Sequence, residues 1–359
     1  MKLFKPSQRL IPHEEKTIKK SSALRQTRYS KFMLDSIDQV NKSFAKPILT
    51  ALKSIFKRDL MNKISEFPLV RILIAIVFVC IGILVGQTIL NLLRSAFSIT
   101  NTGRANLLAL VIVMPATYFA YWIYVRYIEK RELTELGSAN ATREFAFGSL
   151  MGFGLFSLIL AILWLFGFYR VNGIDFVLVS LIGALVGAFL SAFAQEVIFR
   201  AVIYRITEEW LGSWWALVIS AMLFGLIHLS SAGATVFSAL AVALQAGVVL
   251  AAAYALTHRL WMALSLHMAW DFANDGIFGV GVAGQSGQSL HGLLQANLSG
   301  PKLLTGGALG IEASLITLVV MLIAGIITLW KTYQKGQWIS PRNRSPRETA
   351  PGAAGKISL

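Results

Sequence analysis

An all-α bundle of about eight membrane-spanning helices is the fold this sequence predicts, and three observations carry that prediction. First, the 359 residues are 55% hydrophobic and only 14% charged, with a mean hydropathy of +0.63, whereas soluble domains carry about 25% charged residues. Second, the charge is segregated. Residues 1–68 hold 15 Lys and Arg against 6 Asp and Glu, residues 331–359 hold 6 against one, and these two tails supply 14 of the net +15. Third, apolar runs of about 20 residues, the length that crosses a hydrocarbon core, recur between the tails.

In chain order the runs lie at about 69–92, 106–128, 145–168, 174–203, 212–230, 234–257, 260–282 and 307–330. The fourth is too long for one plain span, so its last turns are expected to bend or to leave the membrane. An even number of spans puts both tails on one side, and the excess of Lys and Arg makes that side the cytoplasm. The connections agree: Arg126, Lys130, Arg131, Arg143, Arg205 and Arg259 fall on the expected cytoplasmic side, and the opposite side is poorer in basic residues. The basic balance therefore fits membrane lipids as partners, at roughly 1 kcal/mol per basic residue near an anionic surface, and not nucleic acid. The stretch 283–306, rich in Gly, Ser and Gln, is expected to be irregular.

The domain plan that follows is a basic cytoplasmic tail at 1–68, a membrane domain at 69–330 and a second basic tail at 331–359. Within the first tail, Met33, Ile37, Val40 and Phe44 recur at helical spacing, as do Leu49, Leu52, Phe56 and Leu60, with Pro47 between the two stretches. That pattern suits short basic amphipathic helices on the membrane surface. Cys80 is the only cysteine, which excludes an intrachain disulfide or a cysteine-based zinc site. Gly148/Gly152 and Gly183/Gly187 are Gly-x-x-x-Gly pairs, which let membrane helices approach closely. The small face of the second pair continues through Ser191 to Gln195.

Polar residues inside three of the apolar runs carry the functional information. An ionisable side chain at mid-membrane costs roughly 2.5–3.5 kcal/mol on insertion scales and marks a functional site by default. The fourth run contains Gln195, Glu196 and Arg200, the last two sharing a helix face as an ion pair. The fifth contains Phe224 and His228, and the seventh contains His267, Asp271, Asn274 and Asp275. Taken singly, each set reads as a structural ion pair, a packed histidine or a polar pair. Gathered in one wet cavity they cost less than when buried apart, and a carboxylate, two imidazoles and a second carboxylate are the parts for activating water. The absence of an inverted repeat or of matched broken helices weakens a transporter reading.

In order and spacing, Gln195-Glu196-x-x-x-Arg200, Phe224-x-x-x-His228 and His267-x-x-x-Asp271 resemble the motifs of the CPBP (Abi) family. That family includes the type 2 CAAX prenyl endopeptidases and bacteriocin-immunity proteins. The resemblance covers about 105–282 and is densest at 190–275. It implies an intramembrane endopeptidase that cleaves a membrane-associated protein or peptide, housed in a bacterial plasma membrane. Gln195 stands where the family pair has its first Glu, usually taken as the catalytic base, and Ala201 stands where Gly often follows the Arg. An amide cannot take up a proton at useful pH, so on this resemblance Glu196 is the expected base, with water held between it and His228. His267 is then expected to stabilise the oxyanion, Asp271 to orient His267, Arg200 to fix Glu196 or hold a substrate carboxylate, and Phe224 to pack beside the site. A metal form uses Glu196, His228 and His267 as zinc ligands with water in the fourth position. The alternative class is a non-catalytic scaffold or immunity protein, for which Gln195 is the best evidence.

Overall fold

The computed structural model describes residues 67–231, 233–280 and 292–341, without the side chains of 308 and 309. The amphipathic stretches expected in the N-terminal tail and the tail beyond residue 341 lie outside the described residues. Helix α1 spans Pro68–Ala96, opening on a proline that needs no intrahelical partner at that position. Helix α2, Thr102–Glu129, is capped by Asn101, whose side chain accepts from the Arg104 N–H at 3.0 Å. There follow α3 (Ala141–Leu165), strand β1 (Tyr169–Ile174), α4 (Leu178–Leu211), α5 (Ser213–Ser230) and α6 (Val236–Thr257). Helix α7 (Leu260–Asp271) runs on into a π-helical turn, Phe272–Ile277. Strand β2 (Leu294–Leu298), the short α8 (Lys302–Thr305) and α9 (Leu315–Gln334) complete the order.

Seven of these helices are long and apolar enough to cross a membrane, and the chain is an integral membrane protein. Of the eight expected spans, the one at 260–282 fails that test. Its α-helix is 12 residues long and passes directly into the π turn Phe272–Ile277, which carries Asn274 and Asp275. Ten of those 12 residues are buried, so α7 is enclosed by protein and has no need of a lipid-facing surface. The outer helices show the opposite pattern. In α1 the buried positions are Ala75, Val79, Gly82, Gly86 and Leu90, while Leu73, Leu84 and Leu92 are more than 60% exposed. Small residues face protein and large aliphatics face outward, as expected where close packing rather than apolar burial drives association.

The described part of the stretch expected to be irregular, 292–306, is more regular than its composition suggests. Within it β2 pairs antiparallel with β1, from Tyr169 opposite Leu298 to Ile174 opposite Leu294. The Tyr169 hydroxyl donates to the Phe278 carbonyl at 2.8 Å, which ties this ribbon to the end of α7. Strand β2 alternates, with Leu294, Ala296 and Leu298 half-buried and Gln295 and Asn297 exposed, but a five-residue strand beside a Gly- and Ser-rich run leaves a weak sequence signal.

At the other end of the bundle a charged network joins α1, α2 and α4. Glu129 accepts from Arg71, Arg131 and Arg205, each at 2.7 Å. The Ser213 N–H donates to the Ile339 carbonyl at 2.9 Å, and His258 Nε2 lies 3.1 Å from Glu208. That hydrogen bond raises the His258 pKa above the ordinary imidazole value. This end carries the ends of α2, α4, α6 and α9 and the beginnings of α3, α5 and α7.

Both glycine pairs are packing surfaces. A Cβ on Gly148 would collide with the Met262 carbonyl and Ser265 Oγ, and one on Gly152 with the Leu266 carbonyl. Thus α3 touches the backbone of α7 as far as Leu266, the residue before His267. The expected outcome for Gly152→Val is a loss of about 1–3 kcal/mol or more from overpacking, read as a lower unfolding temperature in lipid nanodiscs. Gly154→Ala, where an added Cβ meets nothing within 4 Å, leaves it unchanged.

Candidate active site

The three motifs meet. Helix α4 changes to π-helical geometry over Val197–Tyr204, directly after Glu196. A second π segment, Ala243–Gly247, interrupts α6, and a third follows Asp271. Such bulges frequently sit at functional positions; the second contributes Gln245 and Ala246 to a cavity of about 180 Å³, and Gln195 and Asp271, just ahead of the other two, also line it, with room for several waters. Its wall includes Gln195, His228, His267 and Asp271, together with Gln245 and Glu312.

Behind that wall lies the ion pair read from the sequence. Glu196 and Arg200 are both fully buried, with Arg200 Nε 3.3 Å from Glu196 Oε2. A second Arg200 nitrogen donates to the Gly247 carbonyl at 3.3 Å. The guanidinium carbon is 4.8 Å from the centre of the Phe224 ring, so part of the desolvated charge faces an aromatic quadrupole. The other carboxylate oxygen, Oε1, is 2.9 Å from His267 Nδ1. This contact was not legible from the spacing. The pairing expected within α7, His267 with Asp271, is longer, at 3.6 Å from Nε2 to Oδ2, beyond hydrogen-bond reach.

The expected place of Glu196 therefore changes. It is absent from the cavity wall and meets His267 from behind through Oε1, while Oε2 faces Arg200 as an ion pair without a hydrogen bond. Gln195, about 100° round the helix, is the residue that reaches the cavity, where its amide donates to Ser191 Oγ at 2.9 Å. Phe224 packs as expected: its ring centre is 5.1 Å from that of His228 and 5.7 Å from that of His267.

The tautomer of His228 follows from its partner. Nδ1 is 2.9 Å from the Phe224 carbonyl oxygen, which can only accept. Nδ1 thus carries the proton in the neutral ring, and Nε2 keeps a free lone pair. His267 is bracketed by carboxylates, so a doubly protonated ring has an acceptor facing each nitrogen.

Glu196, His228 and His267 do not fit a zinc site in this arrangement. Glu196 is fully buried, its Oε1 faces His267 Nδ1, and it does not line the cavity that His228 lines. Among the described residues no group of three or more His, Cys, Asp or Glu is placed to hold a metal ion.

Two wall residues escaped the sequence reading. Gln245 donates through Nε2 to the Glu312 carbonyl oxygen, which fixes its amide and leaves Oε1 buried without a partner. Glu312 lies in the 3-10 turn Gly307–Ala313, ahead of α9. Each is a polar residue in or beside an apolar run, the same signal that marked His228.

Residues 176–273 match the family model described as type II CAAX prenyl endopeptidase Rce1-like. The matched stretch includes all seven motif residues and stops short of Glu312. Neither a curated protein nor a solved structure matches the chain. Across the residues that build the site, the chain therefore matches the type II CAAX prenyl endopeptidase family that its three motifs resemble.

Proposed function

We propose that this protein is an intramembrane endopeptidase in which His228, and not Glu196, activates the attacking water. The observation that carries this reading is the bond from His228 Nδ1 to the Phe224 carbonyl, which leaves Nε2 of the neutral ring unprotonated, with His228 on the wall of a cavity that has room for water. His228 Nε2 takes a proton from water as the oxygen attacks the peptide carbonyl carbon. His267 donates from Nε2 to the developing oxyanion, while Glu196 holds Nδ1 and so fixes the ring; Glu196 is a positioning residue. The protonated His228 then gives its proton to the departing amide nitrogen, and the C–N bond breaks. Gln245 Oε1 is an acceptor for a substrate N–H.

The basic tails support a plasma-membrane protein with both termini in the cytoplasm. In that orientation His228, Ser231 and Glu312 belong to the exoplasmic half of the bundle. They lie at the end of α5 and ahead of the beginning of α9, the ends of those helices remote from the Ser213–Ile339 bond. A membrane-embedded or exported segment then fits the cavity better than a cytoplasmic C-terminus.

The test is cleavage of a library of membrane-associated peptides by the protein in lipid nanodiscs, read by mass spectrometry. Some peptides are C-terminally prenylated, and each reaction runs with and without a metal chelator. Chelator-resistant cleavage is expected. Gln195 favours a second reading, a non-hydrolytic peptide-binding scaffold, because an amide occupies the cavity position of the family's first Glu. A wild type that cuts nothing, together with a Gln195→Glu variant that gains cleavage, would establish the scaffold instead.

A further inference from the structure

A second cavity, of about 790 Å³, opens at the charged end of the bundle. It lies between the beginning of α3, the α6–α7 junction and the end of α9. Arg143, Arg259, Lys331 and Lys335 line it, and Glu144 is the one acid among the described lining residues. Glu144 is already taken by Arg259. Arg143, Lys331 and Lys335 have no ion pair among the described residues, so the cavity lining carries an uncompensated charge of three.

Part of the lining is apolar. Phe147, one turn into α3 from Arg143, is 51% exposed, and Leu256 and Met262 line the same cavity. The helix that starts here, α3, has no side-chain cap on its N-terminus, so its free N–H groups add to the positive field. The level in the bilayer is marked independently by Trp330 and Tyr333 on α9, 57% and 72% exposed. Amphipathic rings of this kind settle at the membrane–water boundary. A basic cleft at that level, with a partly apolar lining, suits a ligand that carries phosphate at one end and hydrocarbon at the other.

We propose that this cleft is a binding site for the phosphate of an anionic phospholipid, held by Arg143, Lys331 and Lys335 with the glycerol and first methylenes against Phe147. A lipid there joins α3 and α9 to the base of α7, the helix that carries His267 and Asp271. The site is separate from the catalytic cavity, and its test does not depend on any cleavage.

The experiment is native mass spectrometry of the full-length protein released from detergent, titrated with dioleoyl phosphatidylglycerol, with dioleoyl phosphatidylcholine, or with phosphatidylglycerol plus excess inorganic phosphate. The wild type is expected to bind one phosphatidylglycerol at least tenfold more tightly than phosphatidylcholine. The triple variant Arg143→Gln/Lys331→Gln/Lys335→Gln changes only exposed side chains and is expected to lose that preference. The control Lys16→Gln/Lys19→Gln/Lys20→Gln, in the basic N-terminal tail, is expected to keep it. Equal affinity for the two lipids, or a preference that survives the triple variant, would overturn the proposal. Full displacement by inorganic phosphate would also overturn it, by making the ligand a free anion.

Discussion

His228→Ala is expected to cut the rate of peptide cleavage by about two to four orders of magnitude while leaving the fold intact. General-base catalysis by a positioned imidazole is worth roughly 10²–10⁴ in rate, and the loss should appear in kcat. The structural cost is small. His228 is half-buried, at the end of α5, and its ring bonds to the carbonyl one turn back, a local contact worth about 1 kcal/mol. The diagnostic comparison is with Glu196→Gln. If Glu196 were the base, that variant would be as inert as His228→Ala. With Glu196 behind His267, the amide oxygen introduced by Glu196→Gln still accepts from Nδ1, and the effect passes through the charge state of the His267 ring. The expected result is a smaller fall in kcat with a displaced pH profile, measured on the same nanodisc-held protein and the same peptide. An equal loss in both variants would return Glu196 to the role of base.

The sequence was most informative where cost forced a choice. Charged and imidazole groups in apolar runs are expensive, so Glu196, Arg200, His228, His267 and Asp271 stood out, and the structure brings them together around Phe224. It was least informative about which side of a helix faces the cavity. Gln195 and Glu196 are adjacent letters with opposite fates, one on the wall and one behind it. The i, i+4 spacing gave the Glu196–Arg200 pair but not which of the two adjacent side chains meets the cavity. The Glu196–His267 bond joins residues 71 apart in the chain, and no local pattern encodes it. Helix α7 was read as an ordinary span because its residues are apolar. In fact they face other helices, and apolar composition does not distinguish lipid from protein neighbours. Gly148 and Gly152 held that information, since the helix they approach is the one enclosed.

Arg200→Met should be the most destabilising single change at the site, costing about 3–5 kcal/mol, because it leaves the Glu196 carboxylate buried without its countercharge. Arg200 is fully buried, and the other contact of Glu196 among the described residues is His267 Nδ1, which already serves Oε1. The expected measurement is a marked fall in unfolding temperature in nanodiscs, with poor yield in the membrane. The double variant Glu196→Gln/Arg200→Met removes both charges and keeps an amide that can face His267. Replacing a buried ion pair by neutral groups of similar volume is often close to neutral in stability, so the double variant should recover most of what the single variant loses. The pair is thus weak evidence for stability as such. What it supplies is position: the guanidinium sits between Glu196, the Gly247 carbonyl and the Phe224 ring, and so fixes the carboxylate that orients His267. A double variant that is stable but slow, with kcat lowered and KM little changed, would place the pair's contribution in holding that imidazole. If the double variant is as unstable as Arg200→Met alone, the cost lies instead in the lost packing of Arg200 against Phe224 and Phe199, and the charge argument fails.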